Sequence, residues 1–370
     1  MSAIIERNRD VEHIVNAAAH LGVYGHGEKK PKRFGMLIVT DIHRCAKQMQ
    51  SAVDYLNGMD ALDCGICLGD IQGDCYSEND GSWYYLAVNS SKKPFLTAIG
   101  NHDGGNRKVR NMSATKAEVL EKFIRTTRGR IGIPDIQKTY YAVNFDAYKM
   151  TVIVMDNYMV PDDLDENGDF KYSRGLECID QAQVDWLVET LAAVPEGYQV
   201  IVARHGYPDG VVKIECDWSQ ERGGIGTEKR VYGKSELVPD VINAWVHGEA
   251  LTKSYAPDEE FAEFPTLTVS ADFTARGEGV FVAYITGHVH RDVMAKSEVY
   301  PEQNVLAFVA SANDDWQNYG CDLPRERDTK AEDCLTVLTV DPERRRIHLV
   351  RIGSNYTTDL KERTHHTIEY

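Results

Sequence analysis

The sequence predicts an α/β fold, and two observations support this. Short apolar runs such as FGMLIVT, PFLTAIG and VFVAYITG recur along the chain. They are too continuous for half-exposed strands and are typical of strands buried on both faces. Stretches with helical spacing of apolar residues alternate with them, at 46–56, 114–126 and 179–191. In such folds, ligand sites lie beyond the carboxyl ends of the strands.

The rest of the chain suggests one main domain at 34–352. Before it we expect a helix at 5–20 and a Gly/Lys/Pro linker, which together form an N-terminal segment at 1–33. Residues 206–280 lie between two strands and are a candidate lid or specificity insert, with a helix at 236–247. Near the end, a β-hairpin with a turn near 341–342 precedes a C-terminal tail at 353–370.

Composition is that of a globular protein. Of 370 residues, 42% are apolar and 26% charged. No apolar run approaches the roughly 18–20 residues that span a bilayer, and the first residues lack the apolar core of a secretory signal. The eight cysteines are scattered, so we expect them to be reduced and the protein to be cytoplasmic. Cys64 and Cys67 form a CxxC within an apolar run and are predicted to be small buried side chains.

The formal net charge of −16 restricts the partners. An acidic surface repels polyanions and acidic membranes, so nucleic acid and membranes are not expected partners. A local cationic site can still hold a small anion.

Polar, metal-competent residues follow five of the apolar runs. They are Asp41, His43, Asp70, Asn101, His102, His205, His288 and His290. Carboxylate, imidazole and amide ligands suit divalent Mn, Fe or Zn. The set is too large for one ion and suits two ions about 3.5–4 Å apart that share a carboxylate. A sixth run ends in Asp156, which is predicted to be a turn or cap residue.

The motif order TDIH, LGD, GNHD, a lone His after a strand, and GHVH resembles the calcineurin-like metallophosphoesterase superfamily. The motifs cover residues 41–290. QAQVDWL at 181–187 is similar to the branch that contains class III cyclic-nucleotide phosphodiesterases and acid phosphatases. The resemblance implies a four-layer αββα sandwich, in which two packed mixed sheets are flanked by helices.

The resemblance also implies a role for each matched residue. The first metal would be held by Asp41, His43, Asp70 and His290. The second would be held by Asp70, Asn101, His205 and His288, so that Asp70 bridges. His102 would be the general acid that protonates the leaving group. The chain departs from the family after Asp70, because three residues (Ile71, Gln72 and Gly73) separate it from Asp74, whereas GDxxD has two residues between its aspartates. Asp74 and Asp103 are therefore rival candidates for the carboxylate that orients His102.

The chemistry that follows is hydrolysis of a small phosphomonoester or phosphodiester. Two dications neutralise the ester and lower the pKa of a bridging water, and a histidine near the working pH protonates the leaving alkoxide. The basic segment 104–110 adds Asn106 and Arg107 as candidate substrate contacts. Two alternatives stay open: a nuclease of the same superfamily, and a non-catalytic metal-binding interaction module. The sequence leaves the substrate, the native metals and the oligomeric state undetermined.

Overall fold

The computed structural model describes residues 33–73, 81–125, 136–208, 230–232, 236–308, 310–312, 332–353 and 365–370. The predicted helix at 5–20, nearly all of the linker and Asp74 lie outside these residues. The described strands are β1 Phe34–Val39, β2 Cys64–Cys67, β3 Phe95–Thr97, β4 Tyr141–Phe145, β5 Met150–Val154, β6 Gln199–Ala203, β7 Ala250–Tyr255, β8 Leu267–Asp272, β9 Val280–Thr286, β10 Val293–Lys296, β11 Asn304–Ala307, β12 Cys334–Asp341, β13 Arg346–Gly353 and β14 His365–Glu369. The described helices are α1 Ala46–Gly58, α2 Ser82–Asn89, α3 Lys116–Val119, α4 Gln181–Ala193 and α5 Leu237–His247.

Two six-stranded mixed sheets form the centre of the fold. The first has the order β14-β13-β12-β1-β2-β3 and the second β10-β11-β9-β6-β5-β4. In the first sheet β1, β2 and β3 are parallel, and in the second β5, β6, β9 and β11 are parallel. Parallel neighbours end at the same edge, so the loops after β1, β2 and β3 meet, as do those after β6 and β9.

The apolar runs are continuous because each face of the second sheet packs against a different layer. In β6, Ile201 and Ala203 join a cluster with residues of β1 and β2, whereas Val200 and Val202 join a cluster with residues of α4 and α5. Successive side chains of a strand point to opposite faces. Both faces of β6 are thus buried, which confirms the predicted sandwich of two sheets flanked by helices.

The predicted helices that fall within the described residues are present, with differences at one of them. Asp180 caps α4 by accepting a hydrogen bond from the Gln183 backbone N–H. The stretch predicted as a helix at 114–126 has only one α-helical turn, which Thr115 and Glu118 cap reciprocally, and it continues as a wider π-helical turn, Leu120–Ile124.

The described part of the segment 206–280 contains helix α5 and strands β7 and β8. Trp245 of α5 is fully buried and donates its indole N–H to the Leu191 carbonyl of α4 at 2.9 Å. β7 and β8 pair as an antiparallel hairpin. A lid or specificity role for the segment stays a prediction.

The C-terminal region contains one more strand than expected. The predicted hairpin is present as β12 and β13, with its turn after Asp341. The sequence suggested only a tail at 353–370, but β14 within it pairs antiparallel with β13 and forms the edge of the first sheet. Apolar and polar residues alternate only weakly in the β14 sequence HHTIE, which explains why the sequence did not predict a strand there.

Candidate metal centre

The predicted ligands converge at the carboxyl ends of five strands. Asp41 and His43 follow β1, Asp70 follows β2, and Asn101 follows β3 in the first sheet. In the second sheet His205 follows β6, and two further histidines follow β9. The side chains that meet there are all buried, with at most 8% of each residue exposed: Asp41, His43, Asp70, Asn101, His205, His288 and His290.

The backbone of the ligand loops is left-handed at most of these positions. Residues with this conformation are Asp41, His43, Asp70, His288 and His290, with φ between 42° and 68°. An L-residue in this region costs roughly 1–2 kcal/mol, and such residues persist where the surroundings enforce them, often at functional sites. Hydrogen bonds enforce the turns here: the Asp41 N–H donates to the Gly69 carbonyl at 3.0 Å and the His43 N–H to the Asp70 carbonyl at 2.9 Å.

The side chains form two groups of potential metal ligands. Within each group, one donor atom from every residue lies within 4.8 Å of the others. The first group comprises Asp41, His43, Asp70 and His290, and the second comprises Asp70, His205 and His288. Asp70 belongs to both groups. Its Oδ2 lies 3.1 Å from His205 Nε2 and 3.8 Å from His43 Nε2.

Asn101 lies next to the second group. Its side-chain oxygen lies 3.1 Å from His205 Nε2, so an oxygen ligand lies beside the imidazole ligand. The structure thus brings together the side chains that the motif resemblance implied as ligands, and their binding of two metal ions stays a prediction.

Hydrogen bonds behind the histidines aim their rings at the centre. His43 Nδ1 lies 3.1 Å from the Gln72 carbonyl, and His205 Nδ1 lies 2.7 Å from the Leu68 carbonyl. Bonds of this kind fix the tautomer with the proton on Nδ1, leaving the Nε2 lone pair for a metal. His43 Nε2 and His290 Nε2 then approach each other at 3.4 Å, an arrangement that a cation between the lone pairs would stabilise.

Burial and neighbouring charges give these residues the protonation states that metal binding needs. Burial lowers the pKa of His43 to about 4 and that of His288 to about 3, so both rings are neutral at pH 7. Burial alone raises the pKa of the Asp41 and Asp70 carboxyls, but the charges of surrounding histidines, above all His290 at Asp41 and His205 at Asp70, outweigh burial and lower it. Divalent ions bind ionised carboxylates and neutral imidazoles, so a bound ion would replace the positive charge of those histidines beside Asp41 and Asp70.

Asp103 anchors the loops that carry the ligands. Its Oδ1 accepts the backbone N–H groups of Ile71 and Gln72 at 2.7 and 3.0 Å. Its Oδ2 accepts those of Asp70 and Gly100 at 3.1 and 2.8 Å. Both carboxylate oxygens therefore hold the Asp70 loop against the Asn101 loop. The structure thus supports a role for Asp103 in anchoring these loops. The sequence suggested that Asp103 or Asp74 orients His102, and that role stays a prediction.

His102 lies beside the shared carboxylate. Its backbone N–H donates to Asp70 Oδ1 at 2.9 Å, and its Nε2 lies 3.8 Å from Asp70 Oδ2. About 20% of its side chain is exposed, in contrast to the ligand histidines. An imidazole that is held at the rim in this way can reach a bound substrate.

The proposed substrate contacts are exposed and lie in the loop that follows. Asn106 accepts a hydrogen bond from the Ser173 hydroxyl at 3.2 Å, and the Arg107 carbonyl accepts one from the Ser113 hydroxyl at 2.8 Å. These bonds tie the loop to its surroundings and do not test a substrate role.

Three glycines that the sequence analysis did not single out pack closely against the ligand loops. Gly69, Gly100 and Gly287 each directly precede a ligand. A Cβ on Gly100 would lie 2.2 Å from Asp70 Oδ1, and one on Gly287 would lie 2.7 Å from Asp41 Oδ2. The sequence signal was present: a glycine stands before the ligand in LGD, IGN and TGH.

Two other sequence interpretations concern residues outside the centre. Cys64 and Cys67 are free, buried thiols, as predicted, and burial raises the pKa of both. Asp156 forms the predicted turn by accepting the Tyr158 backbone N–H at 2.8 Å. Among the residues that the structure describes, we find no helix with the length and apolar character needed to cross a bilayer.

No protein-family model and no curated protein matches the sequence. Solved structures do match the fold. A dimetal phosphatase from Danio rerio aligns with a TM-score of 0.53 and 12% identity over 91% of this chain and 99% of its own. A purple acid phosphatase from seeds of yellow lupin (Lupinus luteus) aligns with a TM-score of 0.44 and 13% identity, over 92% of this chain and 54% of its own.

The chain therefore has a metallophosphoesterase fold. Its two mixed sheets flanked by helices match the Danio rerio structure. The fold that the motif resemblance implied is thus confirmed, and the buried Asp/His clusters lie where the motifs predicted metal ligands.

Proposed function

We propose that this protein is a two-metal hydrolase of small phosphomonoesters or phosphodiesters. The observation that carries the proposal is the position of Asp70, whose carboxylate belongs to both buried ligand groups. A shared carboxylate is the arrangement expected for a pair of divalent ions a few ångströms apart. The similar protein from Danio rerio is a dimetal phosphatase, which agrees with this assignment.

The donor set fits two ions of intermediate softness, such as Mn, Fe or Zn. Asp41, His43, Asp70 and His290 would hold the first ion. Asp70, Asn101, His205 and His288 would hold the second. When bound, such ions neutralise the charge of a phosphate ester and lower the pKa of a water at the site.

The role of His102 is to protonate the leaving group. Its backbone bond to Asp70 fixes its position relative to the shared ligand, and its partial exposure lets it face solvent and substrate. Histidine suits this role because its ordinary pKa lies near neutral pH, and general acid catalysis is typically worth about 10²–10⁴-fold in rate.

The proposed substrate is small. A net charge of −16 opposes binding of a nucleic acid chain, whereas a single phosphate ester needs only local positive charge from the ions and from the loop that bears Asn106 and Arg107. Both side chains are exposed and remain candidate contacts to the non-reacting part of the substrate.

The test is an assay of the full chain reconstituted separately with Mn²⁺, Fe²⁺ and Zn²⁺. A phosphomonoester dye substrate, a phosphodiester dye substrate and single-stranded DNA are compared at equal protein concentration. Turnover of either dye substrate, with little on DNA, is the expected result. Turnover of DNA alone would indicate a nuclease, and two bound metals without any turnover would indicate a binding module.

A further inference from the structure

A cavity lies on the helical side of the second sheet, next to the point where β6 ends. It is small, with a volume of about 50 Å³, and it opens to solvent. One part of its wall is charged and another is apolar; the lining residues that matter here are Glu177, Arg204, Arg230, Tyr232, Leu237 and Val238. None of them belongs to the two metal-ligand groups.

Arg204 presents unused hydrogen-bond donors from a buried position. Only 5% of the residue is exposed. Its Nε donates to the Gly206 carbonyl at 2.7 Å and its Nη2 to Glu177 Oε1 at 2.6 Å. Its Nη1 has no hydrogen-bond acceptor within the part of the chain that the structure describes. This nitrogen is not fully enclosed by protein, so water or a ligand oxygen in the cavity can accept a hydrogen bond from it.

The same wall carries a second guanidinium and one end of a helix. Arg230 Nε contacts Glu177 Oε2 at 2.8 Å, so a single carboxylate serves two arginines. The first residues of the 11-residue helix α5, Leu237 and Val238, line the cavity, and the side chain of the N-cap residue Glu236 makes no capping hydrogen bond. The N-terminal end of a helix dipole favours an anion.

The remaining wall is apolar. Tyr232, Leu237 and Val238 are at most 9% exposed and offer carbon surface next to the charged groups. We infer that this cavity binds a small organic carboxylate with a short apolar chain, as a second anion site distinct from the metal centre. The carboxylate would accept from Arg204 Nη1, and the chain would lie against the apolar residues. Arg204 directly precedes the ligand His205, so the two sites are neighbours.

The experiment uses the full chain after removal of metals with EDTA, so that an anion cannot bind to ions at the metal centre. Binding of butyrate is measured by isothermal titration calorimetry and compared with that of butyramide, which has the same shape but no charge. We expect butyrate to bind at least about tenfold more tightly, because hydrogen bonds to charged groups are worth more than neutral ones. Equal affinities, or no detectable butyrate binding, would overturn the inference.

Variants locate the site. Arg204→Met should weaken butyrate binding by about tenfold or more, and Arg230→Gln, at a less buried position, provides a second test in case the first variant does not fold. Arg345→Gln replaces an exposed arginine in the turn between β12 and β13 and should leave binding unchanged. Butyrate binding that survives both cavity variants, or that is lost equally in Arg345→Gln, would refute this location. No step depends on turnover, so failure here and failure of the hydrolase proposal are distinguishable.

Discussion

The backbone N–H of Asp70 donates to Oδ2 of Asp103 at 3.1 Å, and this bond joins the shared metal ligand to a carboxylate that binds no metal in our assignment. Three more backbone N–H groups, those of Ile71, Gln72 and Gly100, donate to the same carboxylate. Burial raises the pKa of Asp103, as does the neighbouring charge of Asp70, while the hydrogen bonds from Gly100 and Gln72 favour the ionised form. The carboxylate is therefore the centre of the loop framework beneath the metal site.

Replacing Asp103 by Asn tests this anchoring role. The amide nitrogen of Asn cannot accept hydrogen bonds, so two buried backbone N–H groups lose their acceptor. We expect the free energy of unfolding to fall by roughly 2–6 kcal/mol and metal affinity to fall with it. Urea titration and metal analysis measure both. Asp60→Asn, at an exposed position, is the control. A variant with normal stability and metal content but a low kcat would instead favour the rival role of orienting His102.

Asp70→Asn should weaken binding of both ions, because both ligand groups use this carboxylate. We expect each affinity to fall at least about tenfold, since even partners outside the first coordination sphere contribute that much. Metal content per chain is measured by mass spectrometry after dialysis against a series of metal concentrations.

Single-site variants serve as controls for the shared ligand. His43→Ala should affect mainly the first ion and Asn101→Ala mainly the second, because each lies in only one group. If Asp70→Asn retained two ions at full occupancy, the bridging assignment would be wrong.

His102→Ala should lower kcat by about 10²–10⁴-fold while metal content stays near that of the unchanged protein. The reason is that His102 bonds to Asp70 through its backbone N–H, which the substitution preserves. His247→Ala, a substitution of an exposed histidine on α5, should not change the rate. Loss of metal in the His102 variant would show that this ring is a ligand.

Much of this site could be predicted from sequence because the candidate ligands come directly after strands. A residue just after a strand lies at the edge of the sheet, so its place in the sequence predicts its place in the fold. Asp41 and His43, for example, stand within four residues of β1. The anchoring by Asp103 could not be predicted, because it depends on four backbone groups from two loops whose approach is set by sheet pairing. Strand β14 was missed for a similar reason: its partner β13, not its own pattern, makes it a strand.

Gly287→Ala should disturb the first ion more than the second. A Cβ at this position would lie 1.9 Å from Thr40 Oγ1 and 2.7 Å from Asp41 Oδ2, so the Asp41 carboxylate must move. We expect weaker binding of the first ion and a lower thermal midpoint, measured by metal titration and by calorimetry. Gly73→Ala is the matched control, because its Cβ would meet only the flexible Arg44 side chain at 3.5 Å. Equal effects of the two substitutions would contradict the steric argument.

Asp156→Asn should make the free energy of unfolding less dependent on pH, because burial raises the pKa of Asp156 above its ordinary value. The Asp156 carboxyl is protonated more readily in the folded chain than in the unfolded chain. Its contribution to stability is therefore largest below about pH 4, near the unfolded pKa, and falls as the pH rises towards the folded pKa. Urea unfolding of both proteins is measured between pH 4 and pH 8. As the pH rises, the free energy of unfolding of the Asn variant should increase relative to that of the unchanged protein, and this difference should level off above the folded pKa of Asp156.

Asp240 provides a control, because the opposite pH dependence of stability is expected for its substitution. Burial alone raises its pKa, but hydrogen bonds from Lys253 and Tyr255 outweigh burial and lower it. Its carboxylate therefore stabilises the fold above the unfolded pKa of about 4, and that contribution is lost as the pH falls through the folded pKa. Asp240→Asn should consequently be most harmful at neutral pH and least harmful in acid. The same pH trend for both variants would show that the local environment of Asp156 does not disfavour its charge.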